Sequence, residues 1–246
     1  MPIEMMRPTS IPASMMNRLN EQFDIFSNSM RLLPESIFRL AYFLNEINEP
    51  EEGISNVEAA YNNVLNCTYG LMTALKEASA CESIYEHDAI TTVLCIRHVL
   101  QHQPGRIKNN LRDAWSLSTG CNPTLIRYSA SDPSFPDQPF FLRINWIQAG
   151  IAQSNNARRL PAINSFWSLD EIRAKVEQRG LNWSESYVCA LALITESART
   201  IVSKYGHLIE ATGYDSKVYL QHFAAIDPVD TRDYSIEEAA ATCAPS

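Results

Sequence analysis

Glycine is scarce in this chain, eight in 246 residues, and none of the eight stands in a Walker or dinucleotide-binding arrangement. A glycine-rich loop cradling phosphates at a helix start is thereby excluded as the basis of function. The Gly-x-Ser-x-Gly elbow of a serine hydrolase is also missing, and the extended segments are too few to build the sheet that such a fold needs. Cysteine occurs six times but never at short paired spacing. Positions 67, 81, 95, 121, 189 and 243 form neither a zinc-binding pair nor a small disulfide framework. They read as free thiols of a reducing compartment, several of them acting as small core residues.

Long apolar runs are lacking too. Residues 1–17 contain no continuous hydrophobic region of the signal-peptide type, and no stretch reaches the roughly 18 apolar residues that a membrane-spanning helix requires. The most apolar run, residues 187–194, is short and amphipathic. The expectation is a cytoplasmic protein that does not enter a membrane. A basic excess is absent as well: 20 Lys and Arg face 28 Asp and Glu, for a net charge of -8. A nonspecific nucleic-acid coat rests on a broad basic surface, so any nucleic-acid contact must be local. What is present is the composition of one globular domain with a packed core, 46% hydrophobic and 20% charged.

Helical periodicity dominates the first half. Residues 14–30 place Met15, Leu19, Phe23 and Phe26 along one face, with Ser14 as the cap. Pro34 is expected in the first turn of a second helix through Ile37, Leu40, Phe43, Leu44 and Ile47, ended by the break at residues 49–53. Residues 55–80 form a third helix, where Ser55 and Glu58 have the form of a capping box. A fourth runs over 83–103, stopped by Pro104 and Gly105. Residues 110–117 suggest a short helix. Together, 14–118 are expected to form the core helices.

From 119 to 165 the texture changes. Residues 124–129 and 140–147 are rich in β-formers around a turn-rich 131–137, which predicts an irregular β-hairpin or a long loop. Helices return at 168–180, with Ser168 and Glu171 as another capping box, and at 184–205. Residues 227–246 are acidic, alanine-rich and expected to be loosely held. The fold class is therefore mainly α, with a β-hairpin or loop insertion and additional C-terminal helices.

The stretch with most chemical content is 95–108, which holds two of the five histidines and three basic residues near a helix end. At about 100° per residue, Arg97 falls inside the apolar arc of Ala89, Ile90, Val93, Leu94, Ile96 and Leu100. A guanidinium cannot shed its charge, so it needs a partner, a cleft or another subunit there. His98 and His102 are four residues apart and neighbour each other on the opposite flank. His102 lies in the last turn, where the helix dipole favours an imidazolium, while a nearby Arg97 opposes it. The balance suits a histidine poised for general acid or base work.

Arg97, His98 and His102 give arginine, a polar residue, three further residues and a histidine at the end of a bundle helix. In this the chain resembles the HEPN superfamily of ribonucleases, over the motif and loosely over residues 14–117. The resemblance implies a HEPN-like helical bundle and metal-independent cleavage of RNA, in which the 2′-hydroxyl attacks the adjacent phosphate. It assigns His102 the acid/base role, Arg97 the phosphate clamp and His98 an orienting or supplementary role. It further implies a homodimer, because Arg97 and His102 are about 140° apart on one helix and converge better across a two-fold axis. A toxin or antiviral-defence setting, with an antitoxin or another defence-system partner, follows from family habit alone. Some HEPN toxins carry a modifiable tyrosine two residues after the histidine; Pro104 stands there in this chain. Arg106, Lys108 and Arg112 would extend a basic strip for the RNA backbone.

Plainer readings compete with these. Arg97 can snorkel along the core and His102 can be an ordinary C-terminal helix residue. His98 and His102 suit a zinc site by spacing, but no glutamate follows the first histidine and no third ligand declares itself, so no metal or other cofactor is expected. His87, His207 and His222 have no partner pattern, and the four tryptophans are expected in the core. A catalytically silent helical module, dimerising or binding a nucleotide or a protein through the same face, is the alternative function.

Overall fold

The computed structural model of the chain describes residues 11–102, 107–115, 123–128 and 140–238. These are mainly helical, with nine α-helices and one four-stranded sheet among the described residues. None of the helices is long and apolar enough to cross a membrane.

The first helix, α1 (Ala13–Tyr42), is continuous through Pro34, where two helices were expected. An interior proline removes one backbone hydrogen bond and costs about 3 kcal/mol. Beyond it Ile37 and Leu40 extend the buried stripe of Leu19, Phe23, Phe26, Met30 and Leu33 against α2 (Pro50–Glu77). Burying each such side chain contributes roughly 1.5–3 kcal/mol, so packing carries the helix past the proline. One turn of π-helix, Phe43–Ile47, ends it, and Asn48 reverses the chain in the left-handed region at φ 57°.

Pro50 then occupies the first turn of α2, so this helix starts ahead of the expected Ser55. Gly53 does not break the chain. It lies within α2 where the two helices meet, and a Cβ there would come 2.7 Å from Phe43 Cβ. The Ser55/Glu58 capping box is not formed, because Glu58 sits two turns inside α2 and is buried.

The third helix, α3 (Asp88–His102), is the centre of the molecule. All residues from Ala89 to Ile96 are buried, packed by α2, by α5 (Ile144–Ala152), by α6 (Leu160–Phe166) and by α8 (Ala190–Tyr205). Only its last turn and a half emerges, which places Arg97, His98, Gln101 and His102 at a boundary with solvent. A short α4 (Asn110–Trp115) follows, and α7 (Leu169–Gln178) and α9 (Tyr214–Ala225) complete the helices.

The expected hairpin is replaced by a mixed sheet. Strands β1 (Thr124–Tyr128), β2 (Phe141–Arg143), β3 (Ser186–Cys189) and β4 (Tyr234–Glu238) are ordered β2-β3-β1-β4. β1 runs parallel to β3, and both outer strands are antiparallel to their neighbours. The register aligns Leu142, Val188, Ile126 and Ile236 in one row across the sheet, and that row faces the main core. The alternate residues Leu125, Phe141 and Tyr187 form a small second cluster on the other face. Residues 144–147, expected extended, begin α5, while 186–189, expected helical, form β3. Residues 234–238, expected loose, are held as β4. Ser168 does precede α7, but it lies in the left-handed region at φ 53° and makes no cap bond. Glu171 instead pairs with Lys175 and accepts a hydrogen bond from Tyr234. The proposed stop at Pro104 and Gly105 lies outside the described residues.

Candidate functional site

The emerging end of α3 brings His98 and His102 together as their spacing predicts. Their ring centroids are 4.3 Å apart with the planes tilted by 48°. The two rings and Val99 form one wall of a cleft of about 380 Å³, and Gln153, Ser154 and Asn155 from the turn after α5 form the other. His102 is exposed, and His98 is half-buried. Burial pushes the His98 pKa down, and the neighbouring His102 and Arg97 push it further in the same direction. His98 is therefore neutral at pH 7, with a ring nitrogen free to accept a proton.

Arg97 does not line this cleft. Its Nε donates to Asn66 Oδ1 at 2.8 Å, and its guanidinium carbon lies 4.0 Å from the centre of the Tyr69 ring. Both partners come from α2, one turn apart on the face toward α3. The partner that an arginine on an apolar arc requires is thus an amide oxygen and an aromatic face within the same chain. Gln101 Nε2 also donates to Asn66 Oδ1, at 3.1 Å, which fixes the acceptor from a second side. Arg97 still lies close enough to His98 to disfavour its protonation.

Of the expected basic strip, Lys108 and Arg112 are among the described residues. Arg112 lies in the contact between α4 and α2, and only 6% of its surface is exposed. Its Nε and Nη2 donate to the two carboxylate oxygens of Glu58, both at 2.7 Å, while Asn109 Nδ2 donates to Glu58 Oε1 at 2.5 Å. A planar fork closed on a carboxylate has these donors committed, so Arg112 serves as a tie between α4 and α2. Lys108 is exposed, and its carbonyl accepts from the backbone N–H of Arg143 on β2. Arg106 lies outside the described residues.

Residues that spacing did not single out surround the same region. Arg159, in the 3₁₀ turn Ala157–Arg159 before α6, stacks on Tyr85 with its guanidinium carbon 3.5 Å from the ring centre. Its Nε donates to Asn156 Oδ1 at 3.2 Å. The Arg158–Arg159 doublet is visible in the sequence, but nothing there ties it to Tyr85 in the loop between α2 and α3. Among the described residues, no group of three or more His, Cys, Asp or Glu side chains is placed to hold a metal ion. No protein-family model, no curated protein and no solved structure matches this chain.

Proposed function

We propose that the chain is a HEPN-like endoribonuclease that cleaves RNA without a metal cofactor, acts as a homodimer and serves as a toxin or antiviral-defence effector. The observation that carries this reading is the imidazole pair, 4.3 Å apart, in an open cleft whose opposite wall is neutral and polar. His98, held neutral, takes the proton of the RNA 2′-hydroxyl. The freed oxygen attacks the adjacent phosphorus, the bond from phosphorus to the 5′-oxygen breaks, and an imidazolium returns a proton to that oxygen. The products are a 2′,3′-cyclic phosphate and a 5′-hydroxyl. Arg97 adds positive potential beside the phosphate.

Attacking and leaving oxygens lie roughly in line on opposite sides of phosphorus. Two neighbouring rings on the same helix face therefore do not flank one phosphate. A His102 delivered by a second copy across a two-fold axis does. The test is cleavage of RNA by the purified protein in EDTA, with the new ends identified. His98→Ala and His102→Ala should each slow cleavage by roughly 10²–10⁴-fold. Mixing the two inactive variants should restore activity in mixed dimers. RNA left intact by folded, dimeric wild type sinks the proposal.

A second reading is a non-catalytic module that binds a nucleotide or a protein or dimerises through this face. The hold of Asn66 and Tyr69 on Arg97, which keeps the guanidinium out of the cleft lining, favours it.

A further inference from the structure

Two imidazoles that line one cleft are placed to share one ligand. His98 and His102 meet that condition: their ring centroids are 4.3 Å apart, and both belong to the wall of the same cleft at the end of α3. Residues four apart on a helix lie one above the other, so the backbone alone supplies this arrangement. Neither ring is engaged in a hydrogen bond among the described residues.

The spacing fits a single metal ion. Held at about 2.1 Å by a ring nitrogen, an ion lies roughly 3.2 Å from the centre of that ring. Two rings bound at a right angle then have centres about 4.5 Å apart, and at the tetrahedral angle about 5.2 Å apart. The observed 4.3 Å is close to the first value, and opening the pair by about 1 Å reaches the second. His102 is exposed in the last turn of α3, so its ring swings outward at little cost.

The lining selects the ion. Among the described residues that form the cleft there is no carboxylate and no thiol; Gln153, Ser154 and Asn155 stand opposite the imidazoles. Calcium and magnesium seek carboxylate oxygens, whereas zinc, nickel and copper accept imidazole nitrogen. Two protein ligands leave the remaining positions to water, and Arg97, the residue before His98, opposes any cation. Such a site exchanges its ion, unlike a closed structural site with four protein ligands.

We propose that the cleft binds one divalent transition ion of the zinc class through His98 and His102, and that the bound ion inhibits the cleavage chemistry assigned to the same rings. The binding stands on its own, and the inhibition rests on the nuclease reading. A ring nitrogen whose lone pair is held by a metal neither takes a proton from the 2′-hydroxyl nor returns one to the 5′-oxygen. The ion is therefore an inhibitor and not a cofactor, and chelation relieves it.

Isothermal titration calorimetry of the full chain with Zn²⁺, against Mg²⁺ as control, tests the site. Zinc should bind saturably at about one ion per chain, and magnesium should not. His98→Ala and His102→Ala should each weaken zinc binding at least about tenfold at an unchanged circular dichroism spectrum, since even a supporting partner of a metal ligand is worth about 10–100-fold. The ¹⁵N NMR signals of both imidazoles should shift along the same titration curve. Thiols are the other holders of zinc, and Cys67, Cys81 and Cys95 are buried. Wild-type affinity in either histidine variant, equal binding of magnesium, or no saturable binding of zinc overturns the inference. In the RNA assay, activity should fall along the zinc binding curve and return with EDTA; full activity with zinc bound overturns the inhibition. A chain that binds zinc through both histidines yet leaves RNA whole in EDTA keeps the site and loses the nuclease reading. One that cleaves RNA in EDTA but binds no zinc does the reverse.

Discussion

The tie between α4 and α2 offers a measurable test of how this fold is held. Replacing Glu58 by leucine removes the carboxylate at similar volume and leaves the Arg112 guanidinium, 6% exposed, with only the half-exposed Glu51, 3.8 Å away, as counter-charge. Breaking a buried pair from one side typically costs about 3–5 kcal/mol, because the remaining charge is stranded away from water. An exposed pair would cost no more than about 1 kcal/mol. Burial of both partners and the two-point contact at 2.7 Å decide for the larger figure. Against a typical total stability of about 5–15 kcal/mol the loss is severe. At roughly 2–4 °C per kcal/mol for a chain of this size, Tm should fall by about 6–20 °C. Urea titration followed by circular dichroism gives the free energies for Glu58→Leu, Arg112→Met and the double variant. The double variant should recover most of the loss, since apolar side chains of similar volume replace a buried pair at little net cost. A loss below about 1 kcal/mol in Glu58→Leu, or losses that simply add in the double variant, would refute the reasoning.

Other consequences are as specific. Gly53→Ala gains up to about 1 kcal/mol of helix propensity, but its Cβ meets Phe43 Cβ at 2.7 Å and Leu40 Cδ1 at 3.0 Å. Overpacking of this kind costs about 1–3 kcal/mol, so the variant should be less stable in urea, and a more stable one contradicts the close approach. The thiol of Cys95, fully buried, is pushed up to about 11 by burial. At pH 8 only about one part in a thousand is thiolate, so iodoacetamide should modify it only after denaturation. Native-state labelling found by mass spectrometry would count against that burial. His98 has its pKa below the ordinary value of about 6.5. Its unprotonated form therefore persists further into acid, and the acidic limb of kcat/KM for the proposed RNA cleavage should have its midpoint below about pH 6.5. A midpoint above that value would remove His98 as the base.

Much of the helical framework was readable residue by residue. The buried stripe from Leu19 to Leu40 and the contact of His98 with His102 follow from a repeat of 3.6 residues per turn, which is a local property. The placement of Arg97 among apolar neighbours announced that it needed a partner, without naming one. Local signals misled where a distant contact outweighed them. Pro34 marks a helix start by propensity, yet packing of α1 on α2 runs the helix through it. Ser55 and Glu58 have the spacing of a capping box, yet Glu58 is claimed by Arg112 and Asn109 from the far side of α3 in sequence.

Residues 186–189 continue an apolar run that suits a helix, and only β1 and β2 on either side make them a strand. Strand pairing has no local signature, because the hydrogen bonds that stabilise a strand belong to another segment. The same holds for the seats of Arg97 on Tyr69 and of Arg159 on Tyr85. Sequence alone determined the helix faces and the neighbouring histidines, through spacing within single segments. Tertiary structure alone decided the sheet, the burial of Arg112 and the stacking of Arg159 on Tyr85, since each depends on free energy shared between groups far apart along the chain.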